Sequence, residues 1–244
     1  MIRVALAGSR GKVGQEMARA LAAEADLEFV GGVDLGDDLA RLLRDSGAQA
    51  LVDFTHPSAA LDNAFLGVQH GAAPVVGTTG IPPDGVDRLE AACRERGVGG
   101  IVAPNFAVGA VVMMWLAEKA APYFAAAEVI ELHHDQKADA PSGTALATAR
   151  RLAARAKFSY RGADKVTLEH TRGGMEGNVG IHSVRLPGLV ADQEVLFGLP
   201  GQSLTITHRT TSREAFVPGV LLAIRKVSSG PGFYRALDQL LGLV

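Results

Sequence analysis

The stretch RVALAGSRGKVG, residues 3–14, joins a short apolar run to a glycine-rich turn and then to a helical pattern in which Val13, Met17 and Leu21 recur. An apolar run ending in glycine reads as a buried strand, and the spacing after it reads as an amphipathic helix. This is where a Rossmann fold places its dinucleotide phosphates. Gly8, Gly11 and Gly14 let the backbone turn tightly and approach a pyrophosphate. The start of the helix, around Lys12 and Val13, offers N–H groups and a partial positive charge. Asp34 closes the next apolar run, at the distance expected of a carboxylate that binds ribose hydroxyls. The pattern departs from G-x-G-x-x-G, because Ser9 stands in the first glycine place. A tight turn with no ligand would use the same residues. Arg10 and Lys12 either reach phosphate or are solvated loop charges. Asp34 disfavours a 2′-phosphate by like-charge repulsion, and Arg10 or Lys12 would offset that. The cofactor implied is a nicotinamide dinucleotide, NADH or NADPH.

Working outward, the first hundred residues alternate such runs with helical patterns. The runs are 3–8, 27–34, 50–54, 73–77 and 99–103, and Leu61, Phe65 and Val68 mark a further helix. Unbroken strands alternating with helices indicate a parallel sheet covered on both faces. Two turns follow strand ends, Gly77-Thr78-Thr79-Gly80 and Pro104-Asn105-Phe106, where doubly wound sheets bind ligands. Their short side chains would let a nicotinamide ring and a substrate meet there, although plain turns would look the same. From 164 to 209 the runs DKVTLEH, GIHSVRLP, QEVLFG and SLTITHRT follow one another without a helix, which predicts an open mixed sheet. The Gly/Met stretch 173–180 reads as a mobile loop. SREAFVPGVLLAIRKV returns to helix, with Phe216, Val220, Ala223 and Val227 on one stripe and Pro218 in its first turn. The fold class is therefore α/β, a Rossmann-type doubly wound sheet with a second α+β domain. The expected division is 1–105 with 215–244 for dinucleotide binding, and 106–214 for substrate and oligomerisation.

Bulk properties narrow the partners. The chain has 244 residues, 48% hydrophobic, with a formal net charge of −2, so nothing in its charge favours nucleic acid or an anionic membrane. One cysteine, Cys93, leaves no internal disulfide framework. No apolar run approaches the roughly 20 residues of a membrane span. The expectation is a cytoplasmic protein.

The densest chemistry lies in ELHHDQKADAPSGTA, residues 131–145. AEVIELHH reads as a strand with Glu131 and His133 on one face and Ile130 and Leu132 on the other. Adjacent histidines in a strand point opposite ways, so at most one of His133 and His134 would face a reacting atom, where histidine is a natural general acid. Ser142 reads as the N-cap of a helix with a core stripe of Leu146, Ala149 and Leu152 or Ala153. The backbone of Gly143 and Thr144, with the Thr144 hydroxyl, could then hold a carboxylate. An ordinary capped helix is the competing reading. A metal is not expected, since adjacent histidines lack helical i, i+4 spacing and no cysteine or acidic cluster completes a ligand set.

E-L-H-H-D-x-K-x-D-A-P-S-G-T-A resembles the signature of the 4-hydroxy-tetrahydrodipicolinate (dihydrodipicolinate) reductases of the diaminopimelate and lysine pathway. The resemblance extends to Gly8-x-x-Gly11-x-x-Gly14, Val-Asp53-Phe54-Thr55, Gly77-Thr78-Thr79-Gly80, Ala103-Pro104-Asn105-Phe106 and Ser212-Arg213. It implies reduction by NADH or NADPH of a cyclic dicarboxylate made from pyruvate and aspartate semialdehyde. Hydride adds at C4 of a conjugated imine and a proton completes tetrahydrodipicolinate. By position it implies His133 as acid and Lys137 as the carboxylate-binding residue that supports proton donation. His134, Ser142, Gly143, Thr144 and Arg213 match further substrate contacts. Gly8, Arg10, Gly11, Lys12, Val13, Gly14, Asp34, Phe54, Gly77, Thr78, Thr79, Ala103, Asn105 and Phe106 fall where the family holds its cofactor. It also implies a homotetramer built through the second sheet. The chain is similar to the shorter actinobacterial-type reductases, which are often relaxed between NADH and NADPH, and residues 155–180 match no pattern. Two other readings stay open: a Rossmann reductase of another small acid, such as aspartate dehydrogenase, and a non-catalytic nicotinamide-binding sensor.

Overall fold

The apolar runs of the N-terminal half become parallel strands. The structure, a computed structural model, describes residues 1–243. β1 (Ile2–Ala7), β2 (Leu27–Val33), β3 (Ala50–Asp53), β4 (Ala73–Val76) and β5 (Gly99–Val102) alternate with α1 (Lys12–Ala23), α2 (Leu39–Ser46), α3 (Pro57–Gln69) and α4 (Pro83–Arg96). Next come α5 (Val108–Ala120), β6 (Ala126–His133), α6 (Gly143–Arg155), β7 (Gly174–Glu176), β8 (Val179–Arg185), β9 (Ala191–Leu199) and β10 (Gln202–His208). The tail adds α7 (Val217–Val227), β11 (Gly232–Tyr234) and α8 (Leu237–Leu241). The chain divides into Met1–Val108 with Arg213–Val244, and Gly109–Ser212.

In the first unit the strand order is β11-β5-β4-β3-β1-β2, with every pairing parallel. The order reverses between β3 and β1, so a crevice opens beyond their carboxyl ends, where the glycine turn emerges. On α1 the buried stripe is Gly14, Met17 and Leu21 rather than Val13, Met17 and Leu21. The reason is contact distance: a Cβ on Gly14 would lie 1.9 Å from the Gly8 carbonyl oxygen, so the helix backbone itself touches the strand end. The tail completes this unit. β11 pairs with β5, and Arg225 on α7 forms ion pairs with Glu24 and Asp26. The expected C-terminal helix begins instead as a 3-10 turn, Arg213–Phe216, and α7 takes over with Pro218 in its first turn.

The second unit is a mixed sheet, β10-β9-β6-β8-β7, in which only the β6–β8 pairing is parallel. α5 and α6 cover one face, packing Met113, Ala117, Ala149 and Leu152 against Val129, Ile181, Val195 and Phe197. Period-2 alternation puts Ala127, Val129 and Glu131 on that face, while Ile130 and Leu132 lie half-exposed on the other. The α6 stripe is Ala145, Thr148, Ala149 and Leu152. Thr148 takes a place in it because its hydroxyl donates to the Thr144 carbonyl and accepts from Gln193.

Two expectations fail here. DKVTLEH forms no strand, and its Val166 and Leu168 are exposed: its alternation finds no neighbouring strand to pair with. The stretch 173–180 is not a loop but a hairpin, β7 paired antiparallel with β8. Gly177 and Asn178 both adopt positive φ and make its turn, which is why the composition resembled a loop.

Candidate active site

The glycine turn has the shape its sequence implies. Gly8 has φ +85°, and a Cβ there would sit 2.5 Å from the Phe54 carbonyl oxygen. Gly11 is the N-cap of α1 and supplies no side-chain cap, so the first-turn N–H groups, beginning at the exposed Lys12, have no side-chain acceptor. That open helix start, cradled by glycines, fits a pyrophosphate. Val13 is half-buried just inside the helix. Ser9 fits the first glycine place because β2 offers Gly32 opposite, where a Cβ would lie 2.4 Å from the Ser9 Cβ. Asp34 accepts from the Ser9 hydroxyl at 3.0 Å, the Arg10 amide at 2.7 Å and the Arg10 Nε at 3.2 Å. Arg10 also pairs with Asp37, whose carboxylate accepts from the Asp34 amide at 2.8 Å. Arg10 is thus shared by two carboxylates beside the turn.

Beyond β3 and β4 the organising group is Asp53, which is 0% exposed. It accepts from the Thr55 amide at 3.1 Å and hydroxyl at 2.8 Å, from Asn63 Nδ2 at 2.8 Å and from the Thr78 hydroxyl at 2.7 Å. The Thr78 side chain is therefore committed to the fold, while Thr79 is exposed. Gly77 is required by contact, since its Cβ would lie 2.2 Å from the Phe54 ring. Phe54 meets Phe106 edge to face, with centroids 6.2 Å apart. Phe106 is buried, so it offers a ligand its backbone rather than its ring. Ala103 bonds back to Val76, and Asn105 accepts from the Ala107 amide at 2.8 Å, closing the turn before α5. Thr78, Thr79, Ile81, Val102 and Pro104 help to line a mainly apolar pocket of about 280 Å³.

In the second unit the strand end and the start of α6 are tied together. His133 ends β6 with its side chain 14% exposed, and its Nδ1 hydrogen-bonds Glu131, which is 0% exposed. Arg185, opposite His133 in the parallel register, forks onto the same carboxylate with Nη1–Oε2 at 2.9 Å and Nη2–Oε1 at 2.7 Å. The Ser142 amide adds a donor at 3.2 Å, and Ser183 adds its side chain. Burial pushes the Glu131 carboxyl up, but the bonds from His133, Arg185 and Ser183 outweigh it and hold it down to about 2. Arg185 also donates to the Asp139 carbonyl at 2.8 Å. Ser142 is the N-cap of α6, accepting from the Ala145 amide at 3.1 Å. The Gly143 and Thr144 amides precede the first intrahelical bond and have no partner within the helix. Lys137 Nζ donates to Asp139 at 2.6 Å and lowers that carboxyl. His134 follows the strand end, and its carbonyl accepts from the Lys137 amide.

The structure thus brings His133, His134, Lys137, Ser142, Gly143 and Thr144 together within one unit. Arg213 opens the return segment of the first unit, in which all fourteen residues expected at the cofactor also lie. The divisions fall at 108/109 and 212/213. Three residues with no expected role anchor the sites: Asp53, Glu131 and Arg185. The alternation in β6 already put Glu131 on the His133 side. Arg185 carried no signal, being 54 positions away and joined only by strand register. Among the described residues no group of three or more His, Cys, Asp or Glu is arranged to hold a metal ion, and no helix is long and apolar enough to cross a membrane.

Known proteins align with this arrangement over both units. The family described as dihydrodipicolinate reductase, N-terminus, matches residues 2–106, and its C-terminus counterpart matches 109–241. The 4-hydroxy-tetrahydrodipicolinate reductase of Moorella thermoacetica is 47% identical, covering 98% of each chain. That of Mycolicibacterium vanbaalenii is 47% identical over 99% of this chain and 100% of the other. A solved structure of dipicolinate-bound dihydrodipicolinate reductase from Paenisporosarcina sp. TG-14 superposes with a TM-score of 0.88 at 37% identity, covering 98% of this chain and 99% of that one.

Proposed function

The chain belongs to the dihydrodipicolinate reductase family and is an oxidoreductase of lysine biosynthesis; from that premise we propose how its residues share the work. The substrate is a cyclic dicarboxylate, reduced at C4 of its conjugated imine to tetrahydrodipicolinate. The observation that carries this reading is the grouping in one unit of an imidazole, His133, an ammonium, Lys137, and an open helix start at Gly143 and Thr144. A dianionic ring needs cations and N–H donors, and completing its reduction needs a proton. That the Paenisporosarcina relative binds dipicolinate, a planar ring with two carboxylates, supports the same chemistry.

A reduced nicotinamide, when bound, supplies the hydride. Gly8, Gly11, Gly14, Lys12 and Val13 hold its pyrophosphate at the start of α1. Phe54, Gly77, Thr79, Ala103, Asn105 and the Phe106 backbone frame its ring, with Thr78 held in place by Asp53. Asp34 takes the ribose hydroxyls. Asp34 and Asp37 together favour NADH, while Arg10 and Lys12 leave NADPH acceptable. His133 delivers the proton. Lys137 leaves Asp139 for a substrate carboxylate, and Gly143 and Thr144 hold that carboxylate at the α6 N-terminus, which Ser142 caps. His134 and Arg213 make the remaining substrate contacts. The half-exposed face of the second sheet, with Ile130, Leu132 and Leu196, joins copies into a homotetramer in the cytoplasm.

The test follows NADH and NADPH oxidation with enzymatically generated substrate. His133→Gln should lower kcat about a hundredfold or more, as loss of a general acid does, with little change in substrate KM. Wild-type kcat in His133→Gln together with loss in His134→Gln would move the acid to the neighbouring histidine.

A further inference from the structure

Glu131 is completely buried, yet it is not placed as a buried ion pair placed for stability alone would be. Such a pair is often replaced by apolar residues without loss, and it needs only one cation. Here one carboxylate binds a forked guanidinium, an imidazole and the amide of a helix N-cap residue. The guanidinium in turn holds the Asp139 carbonyl. The segment between His134 and Ser142, which carries Lys137, is thus pinned at Asp139 and at Ser142 to the group that holds the His133 ring.

We propose that Glu131, clamped by Arg185, is the positioning residue for the acid: it binds Nδ1 of His133, leaving Nε2 as the nitrogen that exchanges a proton with substrate, and it fixes the entrance of α6 in the same act. This rests on His133 being the acid. An imidazole with both nitrogens available could rotate and present either one, whereas a carboxylate on Nδ1 fixes both tautomer and ring plane. Arg185 on β8 shares the Glu131 carboxylate with the ring, and on the following segment Lys137 pairs with Asp139. On β9, Asp192 is engaged instead by the Thr210 amide at 2.8 Å.

The direct measurement is ¹⁵N NMR of histidine-labelled full-length protein, with the His133 signals identified by their loss in His133→Gln. Neutral His133 should carry its proton on Nδ1, with Nε2 bare. A proton on Nε2, the form imidazole prefers in water, would overturn the proposal, and this readout needs no altered Glu131. In Glu131→Gln, whose side chain has one acceptor oxygen in place of two, the fraction of neutral His133 protonated on Nε2 should rise. kcat should fall at least tenfold, while nicotinamide affinity measured without substrate stays unchanged. A fall in kcat with the His133 tautomer unchanged in Glu131→Gln would overturn the positioning role and leave Glu131 a fold residue. If His133→Gln itself keeps wild-type kcat, it is the acid assignment that fails, and the tautomer measurement still decides what Glu131 does to the ring.

Discussion

Asp53 and Glu131 are both carboxylates with no solvent exposure, one at the end of β3 and one near the end of β6, yet their surroundings differ in kind. Burying a carboxylate is costly unless donors replace its water. Asp53 takes its donors from neutral groups of Thr55, Asn63 and Thr78. Glu131 takes them from a guanidinium and an imidazole as well as from Ser142 and Ser183. The first arrangement fixes a turn and passes no charge onward. The second couples the fold to a group that gains and loses a proton. Two regions thus solve one solvation problem, and only the second solution is suited to acid–base chemistry.

Removing one partner of each should break the comparison most sharply. Arg185→Met leaves Glu131 buried without its cation, and the urea midpoint should report a loss of about 3–5 kcal/mol. Asp53→Ala leaves neutral donors unsatisfied. Its loss should be smaller, about 2 kcal/mol, and titration should show NADH affinity reduced severalfold as the Thr78 turn relaxes. If both losses are equal, the charge at Arg185 contributes nothing special.

Acid should sharpen the contrast by a smaller amount. The Glu131 carboxyl is held down to about 2 in the folded protein and lies near 4.3 in an unfolded chain. Its contribution is therefore present above about pH 4.3 and is lost as pH falls toward 2. Wild-type stability, measured in urea at pH 5.5 and 3.5, should drop more than that of Glu131→Gln. Parallel slopes would mean that Glu131 is not the group being protonated. The smallest effect belongs to the cofactor side. Asp34→Ala should raise KM for NADH more than KM for NADPH, and equal rises would remove Asp34 from the ribose.

Five of the six strands of the first unit were legible almost to the residue, because parallel strands covered on both faces must be unbroken apolar runs, while β11 in the tail was not read. All five runs, 3–8 through 99–103, lie within one residue of β1 to β5. The second unit was harder, because one-sided strands show only alternation. GIHSVRLP found partners in β6 and β7, whereas the equally alternating DKVTLEH found none. In the site, Ser142 was readable as a cap because its meaning is local, and the crowding of His133 and Lys137 was visible because they are near neighbours. The Arg185–Glu131 clamp was not, since it exists only through the register of β6 on β8. Asp53 was quoted within a motif, but nothing local says that its donors come from ten and 25 residues onward.

The return of the tail has a consequence for how the protein is made. α7 lies so close to β5 that a Cβ on Gly99 would sit 2.3 Å from the Val227 carbonyl oxygen, and β11 extends the sheet beyond β5. During synthesis those pieces emerge only after the whole of Gly109–Ser212 has been translated, a delay on the order of ten seconds at ordinary ribosomal rates. Through that interval β5 is an unpaired sheet edge with apolar Ile101 and Val102, and at its end the continuous second unit has every residue it needs while the first still lacks its tail. The later part of the chain can thus finish folding before the earlier one, and a nascent chain stalled within α6 would present a sticky strand to its neighbours on the polysome.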